Sequence, residues 1–159
     1  MSKIPVVLVD DHALVRLGLK TLINDQADME VIGEAGTAQE ALQAVERLHP
    51  QVVLMDIRLP GEGGLDATRR IADRFPETKV VMLTSFADEE LVMTAIRAGA
   101  VGYLLKEVGN EEVLRGIRAA AQGNSVMDAA TTSRLFARVR AAERKDEEDA
   151  FRDLTKREM

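Results

Sequence analysis

The alternation of short apolar runs with longer amphipathic segments constrains the fold of this chain more than any other feature. Residues 6–9, 52–55 and 80–83 contain only Val, Leu and Met. Runs of this kind are typical of strands at the centre of a parallel sheet, where helices cover both faces. Two shorter runs, residues 31–32 and 103–105, have the character of further strands in the same sheet.

The segments between these runs have helical spacing and helical end signals. Thr37 followed by Glu40 predicts a capping box at a helix start. Gly99 and Gly123 stand where helices are expected to end in the left-handed conformation. Five successive strand–helix units predict a doubly wound α/β domain, in which a five-stranded parallel sheet has helices on both faces.

The composition excludes several classes of protein. The chain has no Cys, which rules out disulfides, thiolate metal sites and cysteine nucleophiles within it. Its apolar stretches are far shorter than the roughly 20 residues of a membrane helix, and its N-terminus lacks the apolar core of a signal peptide. We therefore expect a cytoplasmic protein without membrane contact. The net charge of −6, from 27 acidic and 21 basic residues, predicts that this stretch alone binds nucleic acid poorly.

Charged and hydroxyl side chains occur at the ends of the predicted strands. Asp10 and Asp11 follow the first run, Asp56 the third, Thr84 the fourth and Lys106 the fifth. Right-handed crossovers bring the carboxyl ends of parallel strands to one edge of the sheet, where ligands bind in such folds. The sequence therefore predicts three carboxylates, a hydroxyl and an ammonium group at this edge.

This set of residues indicates phosphoryl chemistry supported by a divalent cation. Three neighbouring carboxylates repel one another unless a cation compensates them, and oxygen ligands at this density suit Mg²⁺. A carboxylate can act as a phosphoryl nucleophile, and Asp56 is the candidate because its strand is central. Thr84 and Lys106 could each contact a phosphoryl oxygen. The structural alternatives are caps and turns for the acids, a strand-end hydroxyl and a surface lysine.

Four motifs together resemble the receiver domains of bacterial two-component response regulators over residues 4–122. They are Val-Asp-Asp-His at residues 9–12, Met-Asp-Ile-Arg-Leu-Pro-Gly at 55–61, Leu-Thr-Ser at 83–85 and Gly-Tyr-Leu-Leu-Lys at 102–106. The resemblance implies a flavodoxin-like sheet of strand order 2-1-3-4-5 and a receiver domain over residues 1–124. It also implies activation by a phosphate transferred from a sensor histidine kinase.

The resemblance implies a role for each matching residue. Asp56 would accept the phosphoryl group, Asp11 would bind Mg²⁺ directly and Asp10 would support the ion largely through water. The main-chain carbonyl of Arg58 would be a further metal ligand, so the expected metal site comprises Asp10, Asp11, Asp56 and Arg58. Such a protein is a switch that carries one phosphate, not an enzyme that turns over a substrate.

Three residues are expected to sense the phosphate. Thr84 and Lys106 would contact the phosphoryl oxygens and complete the catalytic set with Asp56. Tyr103 matches the family's switch aromatic, which turns inward as the threonine approaches the phosphate; a half-buried strand position is the alternative. Glu107 departs from the family pattern, because many receivers have proline after the lysine.

In the intact protein, phosphorylation is expected to favour a homodimer or to free the DNA-binding domain. The phosphate would shift the surface formed by the fourth strand, the helix after it and the fifth strand, which is one candidate contact. The other candidate is the apolar stripe of the last receiver helix, formed by Val113, Leu114 and Ile117. Ordinary packing of this stripe on the sheet is the alternative.

The last residues predict a linker and the start of a second domain. Residues 125–150 are expected to form a polar linker helix. Residues 151–159 contain Leu-Thr-Lys-Arg-Glu and resemble the opening of the helix-turn-helix domain of NarL/FixJ (LuxR-type) regulators. In that class Thr155 would cap the first helix, and Glu158 would complete a capping box. We interpret the sequence as a fragment of a transcription regulator that binds DNA only through the rest of this domain.

Three other functions fit parts of the sequence. A single-domain receiver, acting as a phosphorelay or docking switch without DNA output, would have the same four motifs. A Mg²⁺-dependent phosphatase with an aspartyl nucleophile would carry a second acid two residues after Asp56, where this chain has Arg58. A flavin-binding protein of similar topology would have to place its phosphate against the acidic cluster, where like charges repel.

Overall fold

The computed structural model describes residues 2–86 and 88–158, with only the backbone described for Glu147 and residues 153–158. Strands and helices alternate along this part of the chain. The strands are β1 Ile4–Val9, β2 Met29–Ala35, β3 Val52–Met55, β4 Lys79–Thr84, β5 Gly102–Leu105 and β6 Val126–Met127. The helices are α1 Ala13–Asn24, α2 Ala38–Leu48, α3 Gly64–Arg74, α4 Glu89–Ala98, α5 Asn110–Ala121 and α6 Ala129–Glu158.

The sheet is parallel throughout, with strand order β2-β1-β3-β4-β5-β6. The predicted order of the first five strands is therefore confirmed. All four residues of β3 and of β5 are buried, as the apolar runs require. The short β6, beside β5, was not predicted, because two residues are too few to show a strand period.

Helices cover both faces of the sheet. One apolar cluster joins strand side chains to α1 and α5, and it includes Ile23 and Ile117. The other joins the opposite strand side chains to α2, α3 and α4. Val113 and Leu114 of α5 also belong to the first cluster and are buried. Packing on the sheet therefore accounts for the α5 stripe.

The predicted helix ends are confirmed where they can be compared. The Glu40 amide donates to the Thr37 hydroxyl over 3.1 Å, and the Glu40 carboxylate accepts from the Gly36 amide over 2.9 Å. The Glu40 carboxylate thus accepts from the Gly36 amide, whereas a capping box would have it accept from the Thr37 amide. Gly99 and Gly123 have φ angles of 109° and 83°, in the region that favours glycine.

Helix α6 spans 30 residues and includes most of the predicted linker helix. The expected new helix start at Thr155 is wrong, because the backbone of α6 is helical on both sides of that residue. Residues 129–158 contain neither Gly nor Pro and are rich in helix formers, so nothing in them interrupts the helix. The side chains of the expected capping box, Thr155 and Glu158, lie outside the described ones. None of the described helices combines the length and apolar composition that crossing a membrane requires.

Candidate functional site

The parallel ladder holds the predicted site residues at one edge of the sheet. The Asp10 amide donates to the Ala35 carbonyl over 3.0 Å, and the Asp56 amide donates to the Val9 carbonyl over 2.9 Å. The Lys106 amide donates to the Thr84 carbonyl over 2.9 Å. Each strand is thus extended by one paired residue, and the functional side chain stands on that residue.

Lys106 joins two buried carboxylates at this edge. Its Nζ lies 2.6 Å from Asp10 Oδ2 and 3.0 Å from Asp56 Oδ2. The carboxylate side chains are only 6% and 5% exposed, so the attraction is poorly screened by water. The structure therefore brings together two of the predicted acids and the predicted lysine, whose side chain is half-buried and 22% exposed.

Burial and pairing act in opposite directions on these charges. Burial by itself would raise the pKa of Asp10, but hydrogen bonds from Lys106 and His12 together hold that pKa below its usual value. Burial would likewise lower the pKa of Lys106, whereas its bonds to Asp10 and Asp56 raise it. The site is thus organised to keep both partners charged.

Asp56 retains an oxygen that no described donor satisfies. Its Oδ1 is buried and has no hydrogen-bond partner among the described residues. Ligand atoms of Asp10, Asp11, His12 and Asp56 all lie within 4.8 Å of one another. Carboxylates grouped this closely fit a divalent cation that prefers oxygen ligands, so the residues present are suited to Mg²⁺.

His12 and Arg16 extend this site beyond the residues that the sequence singled out. His12 Nδ1 lies 2.9 Å from Asp10 Oδ1 and 2.9 Å from Asp11 Oδ1, and the His12 amide donates to Asp10 Oδ1 over 2.8 Å. The guanidinium of Arg16 donates to the main-chain carbonyl of Asp10. The position of His12 directly after the acidic pair was the available signal for its contacts.

The remaining predicted residues meet at Phe86, in the loop after β4. The Phe86 amide donates to the Thr84 hydroxyl over 3.3 Å, and the Tyr103 hydroxyl donates to the Phe86 carbonyl. The Arg58 guanidinium carbon lies 3.9 Å from the centre of the Phe86 ring, which is a cation–π distance. Phe86 was not predicted, since two of its three contacts use main-chain atoms that any residue has.

Tyr103 is fully buried and points inward. Burial, together with the negative charges of Asp88, Asp128 and Asp56, raises the pKa of its phenol. The hydroxyl therefore stays protonated and available as a donor at physiological pH. The alternative of a half-buried strand position is wrong, because the side chain is enclosed by the core on the α4 side of the sheet.

Helix α3 begins against the backbone that carries Asp56. The Gly64 amide donates to the Ile57 carbonyl over 2.8 Å. A Cβ atom at Gly64 would lie 1.9 Å from the main-chain oxygen of Asp56, so only glycine permits this approach. The main chain of Asp56 is therefore packed directly against α3, while its side chain keeps one oxygen without a partner among the described residues.

Comparisons with known proteins agree with this arrangement. Residues 6–118 match the family of the response regulator receiver domain. The chain is 42% identical over 159 residues to the uncharacterized transcriptional regulatory protein YxjL of Bacillus subtilis (strain 168), covering 99% of this chain and 73% of that protein. It is 42% identical over 158 residues to the oxygen regulatory protein NreC of Staphylococcus aureus (strain MRSA252), covering 97% and 73%.

Solved structures give the same result. A LuxR-family two-component response regulator from Aurantimonas sp. SI85-9A1 superposes with a TM-score of 0.83 at 32% identity, covering 88% of this chain and 99% of that one. The signal receiver domain of the response regulator NarL from Mycobacterium tuberculosis superposes with a TM-score of 0.75 at 29% identity, covering 78% and 100%. The chain therefore belongs to the response regulators of two-component systems, as a receiver of the NarL/LuxR type.

Proposed function

We propose that Asp56 accepts a phosphoryl group from a phosphohistidine of a sensor kinase in a Mg²⁺-dependent reaction. The observation that carries the proposal is the buried Asp56 Oδ1, which has no partner among the described residues, while Oδ2 is paired with Lys106. An oxygen without a hydrogen bond keeps its lone pairs for attack. The bond from this oxygen to phosphorus forms as the bond from phosphorus to the kinase nitrogen breaks, and the histidine leaves with that electron pair.

The neighbouring residues hold the nucleophile and balance charge. Lys106 fixes the Asp56 side chain through Oδ2, and its ammonium group can follow the added negative charge onto a phosphoryl oxygen. A bound Mg²⁺, held by Asp11 and Asp56 with support from Asp10 and the main-chain carbonyl of Arg58, would supply positive charge to the phosphoryl oxygens. These assignments rest on the close grouping of the carboxylates.

Thr84 and Tyr103 would report the phosphate to the rest of the domain. The Thr84 hydroxyl accepts from the Phe86 amide, so its own proton remains available for a phosphoryl oxygen. Movement of Thr84 toward the phosphate would pull on Phe86, whose carbonyl is bonded to Tyr103. The switch is stoichiometric, with one phosphate on each chain, and is not a turnover reaction.

The exposed side of α1 is the surface we assign to the kinase. Leu14 and Leu17 are 83% and 59% exposed and lie one turn apart, three and six residues after Asp11. Two large apolar side chains one turn apart form a small exposed patch, and contiguous apolar patches on a protein surface mark interaction sites. A kinase helix bound there would bring its phosphohistidine to the edge of the sheet that carries Asp56.

The output we propose is transcriptional. The relatives include a transcriptional regulatory protein and an oxygen regulatory protein, which cover this chain almost completely. In this proposal residues 1–124 form the receiver, residues 125–150 the linker, and residues 151–159 the start of a helix-turn-helix domain. Phosphorylation would favour a homodimer in the cytoplasm, and DNA would be bound through that last domain alone.

Intact-protein mass tests the phosphoryl transfer directly. Wild type, Asp56→Asn and the control Asp66→Asn are incubated with acetyl phosphate, with Mg²⁺ or with EDTA, and sampled quickly in the cold. Asp66 is an exposed carboxylate on α3, so its variant matches the change of charge. We expect one phosphoryl group on wild type and on the control, only with Mg²⁺, and none on Asp56→Asn. Equal labelling of Asp56→Asn would overturn the assignment.

A further inference from the structure

We infer that Asp128 clasps the start of helix α6 to the end of β5, and that phosphorylation of Asp56 releases the body of α6 from α4. This inference rests on the proposed function of Asp56. It concerns a buried carboxylate outside the phosphorylation site and a helix that leaves the receiver. We call the hydrogen bonds of Asp128 to Leu105 and Thr131 the clasp. The clasp would act as a hinge, and the contact between α6 and α4 would open.

The clasp is formed by both oxygens of Asp128. Its Oδ2 accepts from the Leu105 amide over 2.9 Å and from the Thr131 hydroxyl over 3.0 Å. Its Oδ1 accepts from the Thr131 amide over 2.7 Å, as in a helix N-cap. Asp128 and Thr131 are both buried. One carboxylate therefore ends β6 and starts α6, and it also binds the β5 amide that a longer β6 would have paired.

The first turns of α6 lie against the receiver. Leu135 packs on the apolar cluster that contains Tyr103 and Val92. Three residues further on, Arg138 forms an ion pair with Glu90 of α4. Beyond this point the described side chains of α6 are exposed. The docked segment is thus residues 128–138, held by the clasp at one end and by Glu90 at the other.

Both attachment points lie next to residues that would move with the phosphate. Leu105, which donates to the clasp, directly precedes Lys106, whose ammonium group binds Asp56. Glu90 stands in the first turn of α4, whose N-cap is Asp88. The loop before that cap contains Phe86, which is bonded to Thr84 and Tyr103. The Leu105 end of the docked segment is therefore one residue from Lys106, and the Glu90 end is six residues along the chain from Thr84.

These connections imply a direction for the change. A phosphate would draw the Thr84 hydroxyl toward Asp56 and, through its hydrogen bond, the Phe86 amide with it, so the loop and the first turn of α4 would shift. Glu90 would move with that turn, and its ion pair with Arg138 is exposed, screened by water and therefore weak. The Asp128 clasp uses buried neutral donors and would hold. Phosphorylation would then free α6 beyond Leu135, while the first turn of α6 stays bound through Asp128. The surface of α4 that α6 covers would become exposed.

Hydrogen exchange of the full chain, read by mass spectrometry, tests the clasp without phosphate. Asp128→Ala removes every acceptor of the clasp, whereas Glu143→Ala alters an exposed side chain further along α6. We expect exchange of residues 129–138 to rise on the order of tenfold in Asp128→Ala, as for loss of a buried cap, and to stay unchanged in Glu143→Ala. Unchanged protection in Asp128→Ala would show that the clasp does not hold α6.

Beryllofluoride with Mg²⁺ tests the release in the same experiment. We expect faster exchange in residues 134–140 of wild type, continued protection of residues 128–132, and no response in Asp56→Asn. The combined Glu90→Arg and Arg138→Glu variant should restore the protection that either single change removes. If acetyl phosphate labels Asp56 but beryllofluoride leaves residues 134–140 protected, the coupling is wrong and the proposed function stands. If no phosphoryl group is added, both fail, and Asp128→Ala still decides whether the clasp exists.

Discussion

Asp56 and Asp128 are two buried carboxylates in the same domain with opposite surroundings. Their exposed fractions are 4% and 6%. Asp128 accepts three hydrogen bonds from neutral donors, two main-chain amides and one hydroxyl. Asp56 is bonded through one oxygen to a lysine, and its other oxygen has no partner among the described residues. The two residues are equally buried, so burial by itself does not distinguish a structural acid from a reactive one.

The difference lies in how completely each carboxylate is satisfied. A buried carboxylate with neutral donors on both oxygens is stabilised where it stands and has little capacity left for a ligand. A buried carboxylate with one unpaired oxygen destabilises the folded protein when no ligand is bound. It gains interactions when a metal ion or a phosphoryl group binds. The comparison therefore predicts that the two residues affect stability in opposite directions.

Removing each side chain tests this prediction, and it has the largest expected effect on stability. Asp128→Ala deletes a helix cap and leaves the buried Leu105 amide without its partner, so we expect a loss of about 3 kcal/mol. Asp56→Ala removes the spare oxygen and its repulsion with Asp10, while Lys106 keeps Asp10, so we expect no loss or a gain of about 1 kcal/mol. Urea unfolding followed by circular dichroism, in EDTA, measures both.

The control for this pair is Asp66→Ala, because Asp66 is an exposed acid in the first turn of α3. Its loss should cost less than about 1 kcal/mol. If Asp56→Ala destabilises the protein as much as Asp128→Ala, then Asp56 is satisfied by contacts that resemble those of Asp128, and the comparison fails.

The sequence predicted one of these two acids and missed the other for a physical reason. Asp56 follows a fully apolar run of four residues, and the convergence of parallel strand ends identifies its neighbours. Asp128 follows β6, which is too short to show a pattern, and it was taken as part of the linker helix. A local signal was present, since Asp128 and Thr131 have the spacing of a helix cap and its third residue.

The helix start expected at Thr155 illustrates the opposite error. The Thr-Lys-Arg-Glu pattern of residues 155–158 fits a capping box, but the same residue types are tolerated inside a helix. Without a Gly or Pro before it, the preceding helix can continue through the pattern, and α6 does so. Phe86 was missed because its bonds to Thr84 and Tyr103 come from its main chain, which leaves no trace in residue type.

Lys106→Met tests how much the ammonium group of Lys106 stabilises the two buried carboxylates beside it, Asp56 and Asp10. The folded pKa of Asp10 is below its usual 3.8, so this group adds stability above about pH 4, which is lost as the pH falls through the folded pKa. The raised pKa of Lys106 adds stability below its usual 10.5, which is lost as the pH rises through the folded pKa. We expect Lys106→Met to cost about 2 kcal/mol at neutral pH.

The pH dependence of this variant should be weaker than that of wild type. Without Lys106, burial still raises the pKa of Asp10 and only the hydrogen bonds from His12 lower it, so this pKa moves upward from its wild-type value. The variant should therefore gain less stability than wild type as the pH rises from about 2 to 5. Parallel stability curves for the two proteins, measured by urea unfolding across this range, would mean that Lys106 does not compensate the buried acids.

Asp28→Asn provides the exposed reference and the smallest expected effect. Arg118 bonds both oxygens of Asp28, at 2.7 Å and 3.1 Å, and this pairing lowers the pKa of Asp28. Both side chains are about half exposed, at 50% and 41%, so water and salt screen the pair. We expect a loss below about 1 kcal/mol that shrinks further in high salt. If Asp28→Asn costs as much stability as Asp128→Ala, the number of hydrogen bonds alone decides how much a carboxylate stabilises this fold. Burial of a carboxylate whose two oxygens are both hydrogen-bonded would then add nothing.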